Sequence, residues 1–146
     1  MGSTFSCVSF ICLLAFACTK DKPPAVPAEV PVTKTIAYRV YAGTDYTASF
    51  YDNAKGQLEL TIAKIFDNGS TTQVLWDTVF TWRNLAAYPT FQNKIDIVKE
   101  FSVQDSKEKI HVSYVRKYNF NGRVSQMAIG TPAPDGNAPV TYTVNM

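Results

Sequence analysis

The side chains with the most reactive chemistry lie at the start of the chain. All three cysteines, Cys7, Cys12 and Cys18, fall within or directly after an N-terminal apolar run. A thiol can form a disulfide, bind a metal or carry a lipid. Because no cysteine follows Cys18, the rest of the chain has neither an internal disulfide nor a cysteine-based metal site. The covalent chemistry to explain is therefore that of Cys18.

The apolar run that precedes Cys18 has the features of an export signal. It covers Phe5 to Ala17, which is shorter than the roughly 20 residues that a membrane-spanning helix needs. Its length and the small residues at its end match the apolar region of a signal peptide. The sequence Ala15-Phe16-Ala17-Cys18 resembles the lipobox of bacterial lipoproteins. This resemblance implies cleavage after residue 17 and a lipid on Cys18.

Two other interpretations of the same segment stay open. Ala15-Phe16-Ala17 is also an A-x-A cleavage pattern, which would release a secreted protein without lipid. The first six residues match the loose pattern for N-myristoylation, with Cys7 as a possible site of palmitoylation. The apolar run favours export over myristoylation, and Cys18 at its end favours the lipoprotein.

The residues after Cys18 are typical of a spacer. Four prolines, Pro23, Pro24, Pro27 and Pro31, favour an extended polyproline conformation over residues 18–32. Thr19-Lys20-Asp21-Lys22 resembles the start of mature Bacteroidota-type outer-membrane lipoproteins. The resemblance implies an outer-membrane lipoprotein that faces the periplasm or the cell surface. We expect a signal peptide over 1–17, a lipidated tether over 18–32 and one folded domain over 33–146.

Residues that could support catalysis or bind a metal are few. His111 is the only histidine, and its neighbours Ile110 and Val112 place it on the polar face of a strand. The aspartates that could bind a metal occur in predicted turns, where Asp is explained by hydrogen bonding to the backbone: Asp52, Asp67, Asp105 and Asp135. We therefore expect a protein that is not an enzyme, with no catalytic residue, metal or cofactor.

Charge argues against a nucleic-acid partner. The formal net charge of the 146 residues is only +2, and the lysines and arginines are scattered. A nucleic-acid surface would instead need a basic patch. The membrane, through the N-terminal lipid, and another envelope component remain the expected partners.

Aromatic side chains are the remaining candidates for ligand binding. Period-two alternation places Trp76, Phe80 and Trp82 on one face of a predicted strand. Such a row could stack on sugar rings or accept a lipid, or it could belong to the core. If it belongs to the core, we expect the exposed aromatic contacts at other positions: Tyr41, Tyr51 and Tyr88.

Strand patterns fill the chain after residue 33. Apolar residues alternate with polar ones in short segments that turn signals separate, such as Asn68-Gly69 and Asn121-Gly122. Lys99 and Arg116 interrupt apolar faces and indicate edge strands. The predicted strands cover residues 36–41, 48–51, 57–66, 71–82, 95–103, 110–118, 123–130 and 139–145.

Seven or eight short strands without a helical period predict an all-β fold. We expect an antiparallel, immunoglobulin-like β-sandwich, with a small β-barrel as the alternative. The segments 36–56 and 118–124 also resemble the opening and late hairpins of the mycobacterial small membrane protein (MmpS) type of β-sandwich. That resemblance implies a membrane-tethered sandwich. The sequence therefore predicts a lipid-anchored envelope protein that binds another envelope component, with a glycan- or lipid-binding module as the alternative.

Overall fold

The computed structural model describes residues 28–66 and 72–146. The predicted signal peptide, Cys18 and most of the tether lie outside the described residues, as does the predicted turn at Asn68-Gly69. Seven strands account for nearly all the regular structure, and the described part contains no α-helix. It also contains no helix that is long and apolar enough to cross a membrane.

The strands follow the predicted order, except that the predicted strand over residues 48–51 is absent. Short 3-10 helices cover Ser49–Tyr51 and Leu85–Ala87. The strands are β1 (Val32–Tyr41), β2 (Lys55–Phe66), β3 (Gln73–Asn84), β4 (Ile95–Val103), β5 (Glu108–Phe120), β6 (Arg123–Pro132) and β7 (Val140–Asn145).

Two sheets form a sandwich that is not closed into a barrel. One sheet has the order β4-β1-β7 and the other has the order β3-β2-β5-β6. All neighbours are antiparallel except β1 and β7, which run parallel. The first strand pairs with the fourth, the second with the fifth and the fifth with the sixth, as strands B with E, C with F and F with G do in immunoglobulin domains. The predicted β-sandwich is thus confirmed and the barrel is not.

Alternating residues of the central strands build the core. Ile36, Tyr38 and Val40 of β1 are buried, and so are alternate residues of the strands opposite, including Leu58, Leu60, Ile62, Ile110 and Val112. The Tyr38 hydroxyl crosses the core to the other sheet, where it lies 2.6 Å from the carbonyl oxygen of Thr61 and 2.7 Å from that of Ser113. Those two residues face each other across β2 and β5. Tyr38 therefore links the middle of one sheet to the middle of the other.

A buried lysine organises one end of the sandwich. Lys34 occupies a core-facing position of β1 with only 3% of its surface exposed. Its Nζ lies 2.9 Å from Oδ1 of Asp105 and donates hydrogen bonds to the carbonyl oxygens of Pro134 and Gly136. The Gly136 amide donates in turn to Oδ2 of Asp105, at 2.7 Å. We call Lys34, Asp105, Pro134 and Gly136 the lysine cluster; it joins β1, the β4–β5 turn and the β6–β7 loop.

The strand predicted over residues 48–51 is wrong. Ser49–Tyr51 form a 3-10 helix, because this segment carries the chain from β1 in one sheet to β2 in the other and has no strand to pair with. Gly56 falls between the predicted strands 48–51 and 57–66, but it lies in β2 and has no positive φ. A Cβ atom there would come within 2.7 Å of Leu85 Cδ2, so close packing explains this glycine.

The edge prediction is right for Lys99 and wrong for Arg116. Lys99 lies on β4, an edge strand, with Nζ 5.1 Å from the ring centroid of Trp76. Arg116 lies on β5, which has a neighbour on each side. The predicted Asn121-Gly122 turn is confirmed, since both residues have positive φ and the turn joins β5 directly to β6.

The lysine cluster predicts a loss of stability in acid. The Gly136 amide and then the Lys34 ammonium lower the pKa of Asp105 below its ordinary value of 3.8. The ionised carboxylate therefore stabilises the fold above that pH, and the stabilisation is lost as the pH falls through the lowered pKa. We expect Asp105→Asn to lower the free energy of unfolding by about 2 kcal/mol at pH 7 and to flatten its decrease below about pH 4.

Urea denaturation at several pH values measures this effect. The control is Asp77→Asn, at an exposed position of β3. An Asp105→Asn variant with the acid dependence of the wild type would contradict the assigned role of the cluster.

Candidate functional site

The three predicted ring residues of β3 do not form one exposed row. Trp76 and Phe80 pack against the core, with the Trp76 ring centroid 6.1 Å from that of Tyr38. Trp82 is 40% exposed and is not among the residues packed against the core. The prediction that all three share one face is wrong for Trp82.

A β-bulge explains the position of Trp82. Gly56 of β2 faces Arg83 of β3, and Leu58 of β2 faces Phe80 of β3. Between these two pairs the chain advances by two residues on β2 but by three residues on β3. The extra residue reverses the alternation of β3. The Arg83 guanidinium consequently lies over the rings of Phe80 and Tyr88, at 5.6 and 5.5 Å from their centroids. Trp82 points to the opposite side.

The three predicted tyrosines are less exposed than expected. Tyr88 is buried, and its hydroxyl donates a hydrogen bond to the Gly56 carbonyl oxygen. Burial raises the pKa of Tyr88 to about 12, although the charge of Arg83 opposes the shift. Tyr41 and Tyr51 are half-buried in edge-to-face contacts with Phe91 and Tyr46, respectively.

A small cleft lies at the end of the sandwich opposite the lysine cluster. It has a volume of about 310 Å³ and lies between the segments 42–47 and 85–92. Tyr88 and Leu85 are buried residues of its lining, and Tyr46, Phe91 and Asp45 also contribute. The volume is at the lower end of the range for small-molecule sites.

Strand β6 is the least protected surface of the sandwich. All ten of its residues are exposed, although it belongs to a sheet with a buried face. Val124, Met127 and Ile129 are 62%, 50% and 38% exposed. The strand carries one charge, on Arg123 at its first position. A long, uncharged and apolar edge strand is a template for pairing with another chain.

The other edges of the two sheets are blunted. Strand β4 carries Asp96, Lys99 and Glu100, and strand β3 carries Asp77, Arg83 and two register shifts. Strand β7 has only six residues. Charge, bulges and short length are the ways in which proteins prevent edge-to-edge pairing. Only β6 is both long and almost uncharged among the described edges.

Sheet stacking explains the exposure of the inner face of β6. Tyr38 places β1 over β2 and β5, and Lys99 places β4 over β3. Arg116 of β5 donates a hydrogen bond to the Asn145 carbonyl oxygen of β7. The three-stranded sheet ends there, so β6 extends beyond it. Met127 on β6 contacts Arg116 of its own sheet, with Arg116 Nη2 2.8 Å from the Met127 sulfur.

The Asn121-Gly122 turn determines which backbone groups of β6 are free. In a two-residue hairpin the flanking pair, here Phe120 and Arg123, exchanges both backbone hydrogen bonds. Odd-numbered residues of β6 therefore bond to β5. The groups of the even-numbered residues point to the open edge: Val124, Gln126, Ala128 and Gly130. We call these four residues the free edge; each has an N–H donor, since none of them is proline.

Residues that could perform chemistry are not brought together. His111 lies on the outer face, as predicted, and its ring covers Gly130, where a Cβ atom would lie 2.6 Å from His111 Cε1. Asp52, Asp105 and Asp135 lie in turns or bends. Within residues 28–66 and 72–146 no group of histidine, cysteine or carboxylate side chains could hold a metal ion.

Comparisons of the chain with models of protein families, with curated proteins and with solved structures find no match. The site must therefore be interpreted from its own geometry. The sequence analysis did not predict the free edge, although the predicted strand 123–130 has only one charged residue among its eight.

The assigned edge predicts that proline is tolerated at one position of β6 and destabilises the fold at the next. Ala128→Pro removes an N–H that faces solvent, so we expect the free energy of unfolding to change by less than about 1 kcal/mol. Ile129→Pro removes an N–H that bonds to β5, and we expect a loss of about 3 kcal/mol or more. Chemical denaturation of both variants measures the difference. Equal losses would contradict the assigned pattern of hydrogen bonds.

Proposed function

We propose that this protein is a non-enzymatic, lipid-anchored component of the cell envelope that binds another envelope protein by strand addition to β6. The observation that carries the proposal is the combination of length, exposure and near-absence of charge in this edge strand. The anchor is the lipid on Cys18, and residues 18–31 connect this lipid to the first strand of the sandwich.

Strand addition suits the chemistry of the free edge. Four consecutive even-numbered residues offer both a donor and an acceptor to an incoming strand, and such main-chain bonds supply much of the affinity in strand addition. Specificity comes from the alternating side chains, here the apolar Met127 and Ile129 on the inner face. Both features serve binding without any catalytic group.

Position relative to the anchor supports the same function. The described chain begins beside the lysine cluster, where Glu29 accepts hydrogen bonds from the Ser106 amide and hydroxyl. Strand β6 runs from the far end of the sandwich to this end. The free edge therefore extends between the end of the sandwich beside the proposed tether and the opposite end.

The anchor predicts a specific loss of lipid labelling. Cells that express the full chain and receive a palmitate analogue should label the wild-type protein, and Cys18→Ala should lose the label because the acylated residue is absent. Cys7→Ala is the matched control and should keep the label. Label that persists in Cys18→Ala would place the lipid elsewhere and contradict the proposed anchor.

The binding surface predicts position-specific cross-linking in intact cells. A photo-reactive phenylalanine analogue in place of Gln126, on the free edge, should give discrete cross-linked envelope proteins upon illumination. The same analogue in place of Val79, which is exposed on edge strand β3, should not. Addition of Ala128→Pro should remove the Gln126 products because it removes a free donor. Equal products from both positions would contradict strand addition at β6.

The cleft favours a second candidate function, the binding of a glycan or lipid. Tyr46 and Phe91 offer aromatic surface, and Asp45 and Gln92 add polar groups to the lining of the cleft. Aromatic faces with a few polar groups are typical of small-ligand sites. This candidate is independent of Trp76, Phe80 and Trp82.

A further inference from the structure

We infer that the strand added to β6 is β6 of a second copy of this chain, so that the two copies form a symmetric, antiparallel dimer. The inference rests on the proposed function, because it names the partner of the same free edge. It follows from the register that the free edge allows and from the charges along it.

Only one antiparallel register uses the whole free edge. In an antiparallel pair of identical strands, the residue numbers of every two facing residues add up to the same value. Two facing residues that exchange hydrogen bonds must both belong to the free edge. When Gln126 faces Ala128 of the second copy, Val124 faces Gly130, and all four residues are paired. A shift by two residues in either direction leaves one of them unpaired. The complete register forms about eight backbone hydrogen bonds.

Side chains in this register are compatible with self-pairing. Met127 faces Met127 of the second copy across the two-fold axis, and Ile129 faces Ser125. The exposed apolar surfaces of both copies therefore adjoin on the inner face of the combined sheet. Arg123 faces Thr131 at the far end, so the only charged residue of β6 is not opposed by a like charge.

Charge also distinguishes β6 from the remaining edges. Self-pairing along β4 would bring several charged side chains into the interface, since Asp96, Lys99 and Glu100 lie within five residues. Strand β3 has register shifts that break a continuous ladder. The near-neutral β6 has neither obstacle to pairing with its own copy.

Disulfide trapping tests the register at single-residue resolution. Met127 and its symmetry mate form a non-hydrogen-bonded pair with Cα atoms about 4.5 Å apart, which lies within the range for a disulfide. Met127→Cys in the full membrane-anchored chain should give a dimer that a thiol reductant cleaves, after mild oxidation of intact cells. The wild-type chain, oxidised in the same way, reports any dimer that comes from Cys7, Cys12 or Cys18.

Matched variants distinguish this register from random collision. Ser125→Cys and Ile129→Cys should not cross-link as single variants. In this register residue 125 of one copy faces residue 129 of the other, so neither single variant brings two cysteines together. The double variant Ser125→Cys/Ile129→Cys should cross-link. Addition of Ala128→Pro to Met127→Cys should reduce the dimer by about tenfold or more, since it removes two of the intermolecular bonds.

Each outcome decides between the two proposals. Equal trapping of all single variants, or none of Met127→Cys, would overturn the symmetric dimer. If Met127→Cys stays monomeric while the analogue at Gln126 cross-links a different protein, strand addition holds and the second copy is excluded. If neither experiment gives a product, both proposals fail.

Discussion

The hydroxyl of Tyr38 is the interaction on which the two-sheet arrangement depends. It stands in the middle of β1 and reaches carbonyl oxygens of β2 and β5, so one side chain fixes the distance between the sheets. Burial strongly raises the pKa of this phenol, which keeps it protonated and able to donate. The Trp76 and Tyr142 rings pack around it, with centroids 6.1 and 6.3 Å away. With β1 held over β2 and β5, the smaller sheet ends before β6.

The exposure of β6 is thus a consequence of strand number. Three strands cannot cover four, and the central position of β1 leaves the uncovered strand at the β6 edge. At the opposite edge β4 lies over β3, and Lys99 covers Trp76. The same stacking therefore shields the predicted aromatic row in part and leaves Met127 and Ile129 open. The inner face of β6 is open because the three-stranded sheet has no fourth strand to cover it.

Alternation in the sequence predicted most strands because burial on one face imposes period two. This worked for β1, which was predicted over residues 36–41 and in which the alternating residues Ile36, Tyr38 and Val40 are buried. It failed where local pattern and tertiary context differ. Residues 48–51 alternate but cross between sheets, and a bulge reverses the alternation before Trp82. Neither the partner of a strand nor the place of a bulge is encoded in periodicity.

Edge positions were harder to predict than strands for the same reason. A charge on an apolar face suggested an edge, which holds for Lys99 on β4. The same reasoning fails for Arg116, which lies on β5 between two neighbouring strands. Its guanidinium is accommodated there by the Asn145 carbonyl oxygen and the Met127 sulfur. The proposed site on β6 is marked instead by missing charge, a signal that can be interpreted only when the strand order is known.

The connection of residues 28–31 to β1 has a mechanical consequence. A pull on this segment acts along the axis of β1, which pairs with β4 on one side and β7 on the other. The ladder hydrogen bonds lie across that axis, so the force shears many of them together and cannot open them one by one. Glu29 precedes β1, so its hydrogen bonds with Ser106 are the first interactions on which the pull acts. A sandwich pulled through residues 28–31 therefore resists tension along β1.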